Sequence, residues 1–186
     1  MKTKVDGGKE IQIKCFGKLA IFLNGEEQST TMNSMKAREL IAFLMTCRGE
    51  VVHKEKICEA LWMDKQKKKR KDSFYKLLGK VKKMPISFHI KSSREMIQLC
   101  LDNIECDIVY FEELLADKNN IKKKEEAVKL YNRGLLFEEE NYNWINEEDG
   151  HYDNMYMDAV YDLYEYYKEI DKRKALCYKK MIDYLE

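Results

Sequence analysis

The chain has 186 residues, of which 45% are hydrophobic and 36% are charged. This length suits one domain or two small ones, and the hydrophobic share supports a packed core, which excludes a wholly disordered chain. The net charge of +1 hides an asymmetry, because residues 1–100 hold 22 Lys and Arg against 11 Asp and Glu, whereas residues 101–186 hold 12 against 22. We therefore expect two modules with different partners, and the basic module suits nucleic acid or another anionic surface.

The six cysteines show no CxxC spacing of the kind that zinc and redox sites use. All of them stand among apolar residues, which is typical of buried free thiols in a reducing cytosol. The chain has neither a signal peptide nor an apolar run of transmembrane length, so a soluble cytoplasmic protein is expected. No cofactor or metal is expected.

The N-terminal residues predict a small antiparallel sheet after a flexible arm or linker at 1–10. Residues 11–16 alternate between apolar and polar, and residues 19–23 form a second apolar strand. Asn24-Gly25 is a strong hairpin signal, after which residues 26–31 can return as a third strand.

Helical periodicity follows the sheet. Apolar residues spaced three and four apart predict one helix that ends near Gly49 and another over 53–62, with Trp62 in the core. A third helix is predicted over 67–84, where Pro85 stops it. Residues 86–101 then predict a hairpin with a polar tip that carries Arg94.

The downstream half indicates an all-helical module. We place the domain boundary after residue 102, so that residues 11–102 form an α+β domain and residues 103–186 a helical one. The aromatic and leucine residues of the helical domain, among them Leu135, Phe137 and Tyr161, are expected on buried faces. The predicted helices cover 107–116, 121–136, 149–170 and 173–185.

The third helix is amphipathic. Phe74, Leu77, Leu78, Val81 and Met84 fall on one side at 100° per residue, which predicts a core stripe. A row of ammonium groups with one phenol falls on the opposite side: Lys68, Lys69, Asp72, Tyr75, Lys76, Gly79 and Lys83.

This polar side predicts a DNA interface. Residues 51–94 hold 14 Lys and Arg against 4 Asp and Glu, and the third helix of a helix-turn-helix arrangement enters the major groove. Lysine is a point charge suited to phosphate, so Ser73, Tyr75 and Lys76 are the better candidates for contacts with base edges. Arg94 can reach a minor groove or a phosphate. The start of the second helix favours phosphate too and adds His53 and Lys54.

DNA is favoured over RNA, because the deep major groove of A-form RNA excludes side chains. An alternative reading is that the lysine-rich face is only a solvated surface, without a nucleic-acid partner.

Residues 11–102 resemble the OmpR/PhoB-type winged helix of SARP-like bacterial regulators, the antibiotic regulatory protein family. The resemblance rests on IQIKCFGKLAIFLNGEE, KARELIAFLMTCRGEVVHKEKICEALW and DSFYKLLGKVKKM. Residues from Cys106 onward resemble the bacterial transcriptional activator domain (BTAD), a tetratricopeptide-like (TPR-like) helical bundle. Here the matching stretches are CDIVYFEELL, EEAVKLYNRGLLFEEENYNWI and KALCYKKMIDYL.

The resemblance implies a sequence-specific transcription regulator, usually an activator. Such regulators bind direct repeats near promoters as dimers and contact RNA polymerase. It assigns 67–84 as the recognition helix and 86–101 as the wing. The helical domain is shorter than is usual in the family, and residues 1–10 could be what remains of a linker to a response-regulator receiver domain. The loop implied to touch polymerase consists of Met63, Asp64, Lys65 and Gln66.

Two other classes of protein are an interaction scaffold and an enzyme. An interaction scaffold would use the tyrosine-rich run in the second half, either for the core and a homodimer or for a foreign partner. Its candidate contacts are Tyr152, Tyr156, Tyr164 and Tyr167. An enzyme is not expected, because the three histidines lie in three different elements. His151 stands beside Asp149 and Asp153, a set that could bind a metal, but the pattern better suits a solvated helix start with capping carboxylates.

Overall fold

The computed structural model describes residues 11–28, 34–84, 86, 89–138, 140 and 142–185. In chain order the elements are β1 (Ile11–Lys14), β2 (Ala20–Leu23), β3 (Glu26–Glu27), α1 (Met35–Thr46), β4 (Val52–His53), α2 (Lys54–Leu61), α3 (Lys67–Val81), β5 (Ile90–Ser92), β6 (Met96–Leu99), β7 (Ile104–Cys106), α4 (Asp107–Ala116), α5 (Ile121–Tyr131), α6 (Asn146–Tyr167) and α7 (Lys172–Leu185).

These elements form two compact units. The first unit comprises the chain up to Cys15, Leu19–Cys106 and Tyr142–Trp144. The second unit comprises Phe16–Lys18, Asp107–Asn141 and the chain from Ile145 onward. Each unit therefore includes three residues that lie within the sequence span of the other. The first unit also extends four residues past the boundary expected after residue 102, because β7 belongs to it.

The first unit opens with a four-stranded sheet in the order β3-β2-β1-β7. The turn between β2 and β3 has positive φ at Asn24 (52°) and Gly25 (84°), as a type I′ hairpin requires, so the Asn-Gly signal is confirmed. The expectation of a purely antiparallel sheet is wrong, because β7 pairs with β1 in parallel. Residues 29–31 of the predicted third strand lie outside the described residues.

Three helices and a hairpin complete the first unit. Helices α1, α2 and α3 pack on one another, and a second sheet has the order β4-β6-β5. Helix α3 ends at Val81, three residues before the predicted end, and Pro85 lies outside the described residues. The predicted core stripe is confirmed, since all five of its side chains are buried.

The second unit is helical, and each of α4 to α7 packs against the next. Its core is an aromatic cluster in which the Phe16 ring lies 5.3 Å from Phe111 and 5.1 Å from Tyr131, in edge-to-face geometry. The predicted helix over 121–136 is five residues too long, because α5 ends at Tyr131. Leu135, expected to be buried, is exposed.

Two glycines explain the path of the chain after α5. Gly134 has a φ of 137°, and a Cβ added to it would lie 2.8 Å from the Cα of Gly17. The Gly17 amide donates a hydrogen bond of 2.8 Å to the Leu135 carbonyl. Any side chain at Gly134 would therefore separate two backbone segments of the second unit. None of the helices described is long and apolar enough to cross a membrane.

Candidate nucleic-acid interface

The exposed side of α3 is a row of lysines. Burial of Phe74, Leu77 and Val81 turns the opposite helix face to solvent, since these residues share one side at helical spacing. The ammonium groups of four lysines on the exposed side make no ion pair or hydrogen bond with any residue that the structure describes. They are Lys68, Lys69, Lys76 and Lys83, of which Lys83 lies just beyond the helix end.

Two further basic side chains at the start of α3 are engaged. Lys67 forms an exposed ion pair with Glu55 on α2. This hydrogen-bonded contact holds the pKa of the Glu55 carboxyl below its usual range and raises the pKa of Lys67. Arg70 bends back and donates to the carbonyls of Met63 and Lys65. The lysine row therefore has an acidic group beside it, which sequence reasoning missed.

The β5–β6 hairpin brings Arg94 beside α3. Arg94 lies at the exposed tip, as predicted, and its guanidinium has no partner among the described residues. The tip carbonyls are all occupied: the Lys54 Nζ donates to Ser93, the Tyr75 hydroxyl to Arg94 at 3.2 Å, and the Lys54 amide to Glu95 at 2.9 Å. Three donors from α2 and α3 thus hold three consecutive residues of the tip.

Lys54 does not lie where the sequence prediction put it. Its side chain is buried, with Nζ 5.2 Å from the centre of the Tyr75 ring and 6.0 Å from that of Phe74. Burial, and next the nearby charge of Lys82, lower the pKa of Lys54. Lys54 is therefore not the exposed phosphate contact that the sequence predicts, because its side chain is buried and its ammonium bonds a backbone carbonyl. His53, by contrast, is exposed at the start of α2.

An open groove of about 400 Å³ lies between α2, α3 and the hairpin tip. Phe74 and Cys58 contribute apolar surface to it, whereas Lys71 and Arg94 contribute positive charge. Burial raises the pKa of the Cys58 thiol, which keeps it protonated. The groove is therefore basic along part of its lining and unreactive at its only thiol.

The loop between α2 and α3 is held against the helices that it joins. The Lys65 ammonium lies 5.7 Å from the Trp62 ring and donates to the Ser73 hydroxyl at 3.4 Å. Met63, Asp64 and Gln66 are exposed. Ser73 is half-buried and faces this loop, so it does not share the outermost side of α3 with Lys76. Trp62 is buried, as predicted.

The tyrosines assigned to a partner surface divide into two groups. Tyr152 and Tyr156 are buried and donate to Glu112 at 2.9 Å and to Asn132 at 2.8 Å. Their assignment as partner contacts is wrong, because both rings are buried inside the second unit. Tyr164 and Tyr167 are half-buried.

Other apolar side chains of the second unit are exposed instead. Tyr161, which was expected in the core, lies at the surface. Sequence reasoning also missed exposed residues at and after the end of α6, two of which, Leu176 and Tyr184, lie in α7 off the side of the buried Ala175 and Ile182. They are Tyr166, Ile170, Leu176 and, at 90% exposure, Tyr184.

The residues around His151 do not form a metal site in the described part of the chain. The His151 ring packs at 5.3 Å against Tyr152, and the Asp153 carboxylate accepts a hydrogen bond from the Tyr131 hydroxyl. The Asp149 side chain lies outside the description. The cysteines are unbridged, and Cys177 is exposed, contrary to the expectation that all six are buried.

Comparison with known proteins bears on the fold. No protein family matches the sequence, and no curated protein does. The chain is similar to a solved structure of Mycobacterium tuberculosis EmbR in complex with a low affinity phosphopeptide, with a TM-score of 0.62 and 14% identity. The match covers 95% of this chain and 56% of the EmbR chain, so the chain spans little more than half of that protein. The likeness shows a mixed α/β N-terminal region followed by a helical C-terminal region.

Proposed function

We propose that the chain is a DNA-binding transcription regulator. In this proposal the first unit is an OmpR/PhoB-type winged helix, which places α3 in the major groove and the β5–β6 hairpin alongside as the wing. The single observation that carries the proposal is the row of unpartnered lysines on the exposed side of α3, with Arg94 beside it on the hairpin tip. An α-helix fits the major groove, and the phosphates that flank the groove attract such a row.

Charge and geometry support the same orientation. Helix α3 is anchored by a continuous buried stripe, so its lysines are presented by a rigid element. Lys68, Lys69 and Lys83 suit phosphates, because an ammonium is a point charge without the fork that reads guanine. Lys76, near the middle of the exposed side, is the candidate for a base edge. His53 adds a possible donor at the start of α2.

We extend the proposal to the second unit as a short BTAD-like, TPR-like module. The likeness to EmbR over almost the whole chain supports this pairing of a mixed α/β region with a helical one. The proposed protein is a cytoplasmic, non-enzymatic activator that needs no cofactor. Its proposed partners are promoter DNA, a second copy of the chain and RNA polymerase, the last through the loop from Met63 to Gln66.

Fluorescence anisotropy with a random-sequence duplex across a salt series tests DNA binding. Each phosphate contact contributes about 0.9 to the slope of log affinity against log salt. Lys68→Ala combined with Lys83→Ala should therefore lower the slope by about 1.8. The matched control combines Lys122→Ala with Lys129→Ala, which removes two exposed lysines from α5. A wild-type chain that binds no duplex even at low salt would refute the proposal, and so would equal losses in both double variants.

A second candidate function is a protein-interaction scaffold. The exposed residues Ile170, Leu176 and Tyr184 of α7 and the preceding turn favour it, because they leave apolar side-chain surface in contact with water. Size-exclusion chromatography with light scattering at two protein concentrations tests self-association through this face. A strict monomer at the higher concentration would leave only a foreign partner for it.

A further inference from the structure

We infer that Tyr75 and Lys54 are positioning residues that hold the wing tip so that the Arg94 side chain reaches DNA, and that Tyr75 does not itself read a base. The inference rests on the proposed function and deepens it. It reassigns two residues that sequence reasoning placed among the DNA contacts, and it makes Arg94 the group through which they act.

The carbonyls of the hairpin tip are bonded by the helices. Ser93, Arg94 and Glu95 form the turn between β5 and β6, and each of their carbonyls accepts a hydrogen bond from α2 or α3. The Lys54 side chain bonds the first carbonyl, the Tyr75 hydroxyl the second, and the Lys54 amide the third. Carbonyls of a surface turn can be satisfied by water, whereas here protein donors bond all three and so tie the tip to the helices.

The turn also has an internal brace. The Ser93 hydroxyl accepts from the Met96 amide at 3.1 Å, and the Ser93 amide donates to the Met96 carbonyl at 2.9 Å. The backbone of the tip is therefore fixed from within and from the helices. The Arg94 carbonyl is bonded to Tyr75, and the Arg94 side chain is exposed, without a partner among the described residues.

The Tyr75 hydroxyl has already used its proton in the hydrogen bond to the wing tip. A tyrosine hydroxyl can donate one hydrogen bond, and in Tyr75 the Arg94 carbonyl accepts it. In the major groove, N7 and O6 of guanine and O4 of thymine are acceptors and require a donor. Tyr75 could donate to one of them only by releasing the wing tip. Its ring, meanwhile, lies against the buried Lys54 ammonium.

Lys54 holds the wing tip at two points. Its amide and its ammonium bond two tip carbonyls that lie two residues apart, so one residue at the start of α2 spans the turn. Since α2 and β4 are contiguous, the same segment also pairs with the second strand of the hairpin, where His53 of β4 lies opposite Met96 of β6. Lys54 and Tyr75 thus tie the wing to both helices of the proposed DNA-binding motif.

A double-mutant cycle tests the inference on the full chain. Affinity for a random-sequence duplex is measured by anisotropy for the wild type, Tyr75→Phe, Arg94→Ala and the double variant. Tyr110→Phe is the matched control, because Tyr110 has the same 43% exposure as Tyr75 and its hydroxyl donates to Glu126 in the second unit. Thermal melting of each variant checks that the fold is kept.

We expect Arg94→Ala to weaken binding about tenfold and Tyr75→Phe about fivefold. In the Arg94→Ala background, Tyr75→Phe should change affinity by less than about twofold, the usual scatter of such cycles. Tyr110→Phe should leave affinity unchanged. This non-additivity is expected only if the Tyr75 hydroxyl acts through Arg94.

The other outcomes overturn the inference in distinguishable ways. Equal losses from Tyr75→Phe in both backgrounds would mean that the hydroxyl contacts DNA directly. No loss in the wild-type background would mean that the tip needs no such hold. In both cases the wild type still binds, so the proposed function stands. A wild-type chain that binds no duplex would instead overturn the proposed function together with the inference.

Discussion

Replacing Trp144 with alanine should destabilise the first unit, although the residue is a hundred positions from the helix that it contacts. The Trp144 ring lies edge-to-face on Phe43 at 5.1 Å and stacks on Tyr142 at 5.4 Å, and its Nε1 donates to the Glu39 carboxylate at 3.3 Å. Glu39 itself is mostly buried and pairs with Lys36 at 2.6 Å.

The magnitude follows from these contacts. Two aromatic pairs contribute about 0.5–1.5 kcal/mol each beyond the area they bury, and a long hydrogen bond to a charged acceptor contributes about 1.5 kcal/mol. Trp144→Ala should therefore cost about 3 kcal/mol, the lower end of what tryptophan truncation costs in a core. With a urea dependence of about 2 kcal/mol per molar, the unfolding midpoint should fall by about 1.5 M.

Tryptophan fluorescence is a selective assay, because the chain has two tryptophans and both belong to the first unit. In the Trp144→Ala variant the buried Trp62 alone reports the transition. Trp144→Phe is the control: it keeps an aromatic ring against Phe43 and Tyr142 and loses the hydrogen bond, so about half of the effect should remain. A midpoint for Trp144→Ala equal to that of the wild type would refute the packing argument.

Three further outcomes are expected. Glu55→Gln should release Lys67 and make the salt slope of duplex binding steeper by about 0.9, and an unchanged slope in the anisotropy series would show that Lys67 does not reach a phosphate. Lys174 hydrogen-bonds Glu125 and lowers the Glu125 pKa, so this carboxylate adds stability above its unfolded pKa that is lost as pH falls through the lower folded pKa. Lys174→Met should raise the Glu125 pKa in an NMR titration and reduce the acid dependence of unfolding, whereas an unmoved pKa would contradict this. Gly134→Ala should lower the melting temperature of the helical signal in circular dichroism, because its Cβ would meet backbone at 2.8 Å, and wild-type melting would contradict the close approach.

Local patterns were enough to predict the main features of the first unit. The core stripe of α3 follows from its 3.6-residue period, and the turn at Asn24-Gly25 follows from residues that tolerate positive φ. The position of Arg94 at a hairpin tip follows from a polar segment between two apolar runs. Each of these features depends on neighbours within a few positions along the chain.

Several site assignments failed for one shared reason. Lys54, Tyr152 and Tyr156 have the charge or the amphipathic ring of surface contacts, and nothing in their neighbours along the chain shows what covers them. Lys54 is covered by Phe74 and Tyr75 of α3 and by the hairpin tip. Side-chain type thus predicted a capacity to bind, whereas burial decided which residues retain it.

The sequence by itself determined the division into a basic α/β half and an acidic helical half, the helical periods and the lysine-rich side of α3. Only the tertiary structure decided that β7 joins β1 in parallel, that Phe16 enters the core of the second unit and that Trp144 packs in the first. The physical reason is the distance along the chain over which each signal acts. Periodicity and turn chemistry act over a few residues, whereas the Gln12–Glu105 hydrogen bond beside the β1–β7 pairing joins positions 93 residues apart, where burial of a shared core selects the partner.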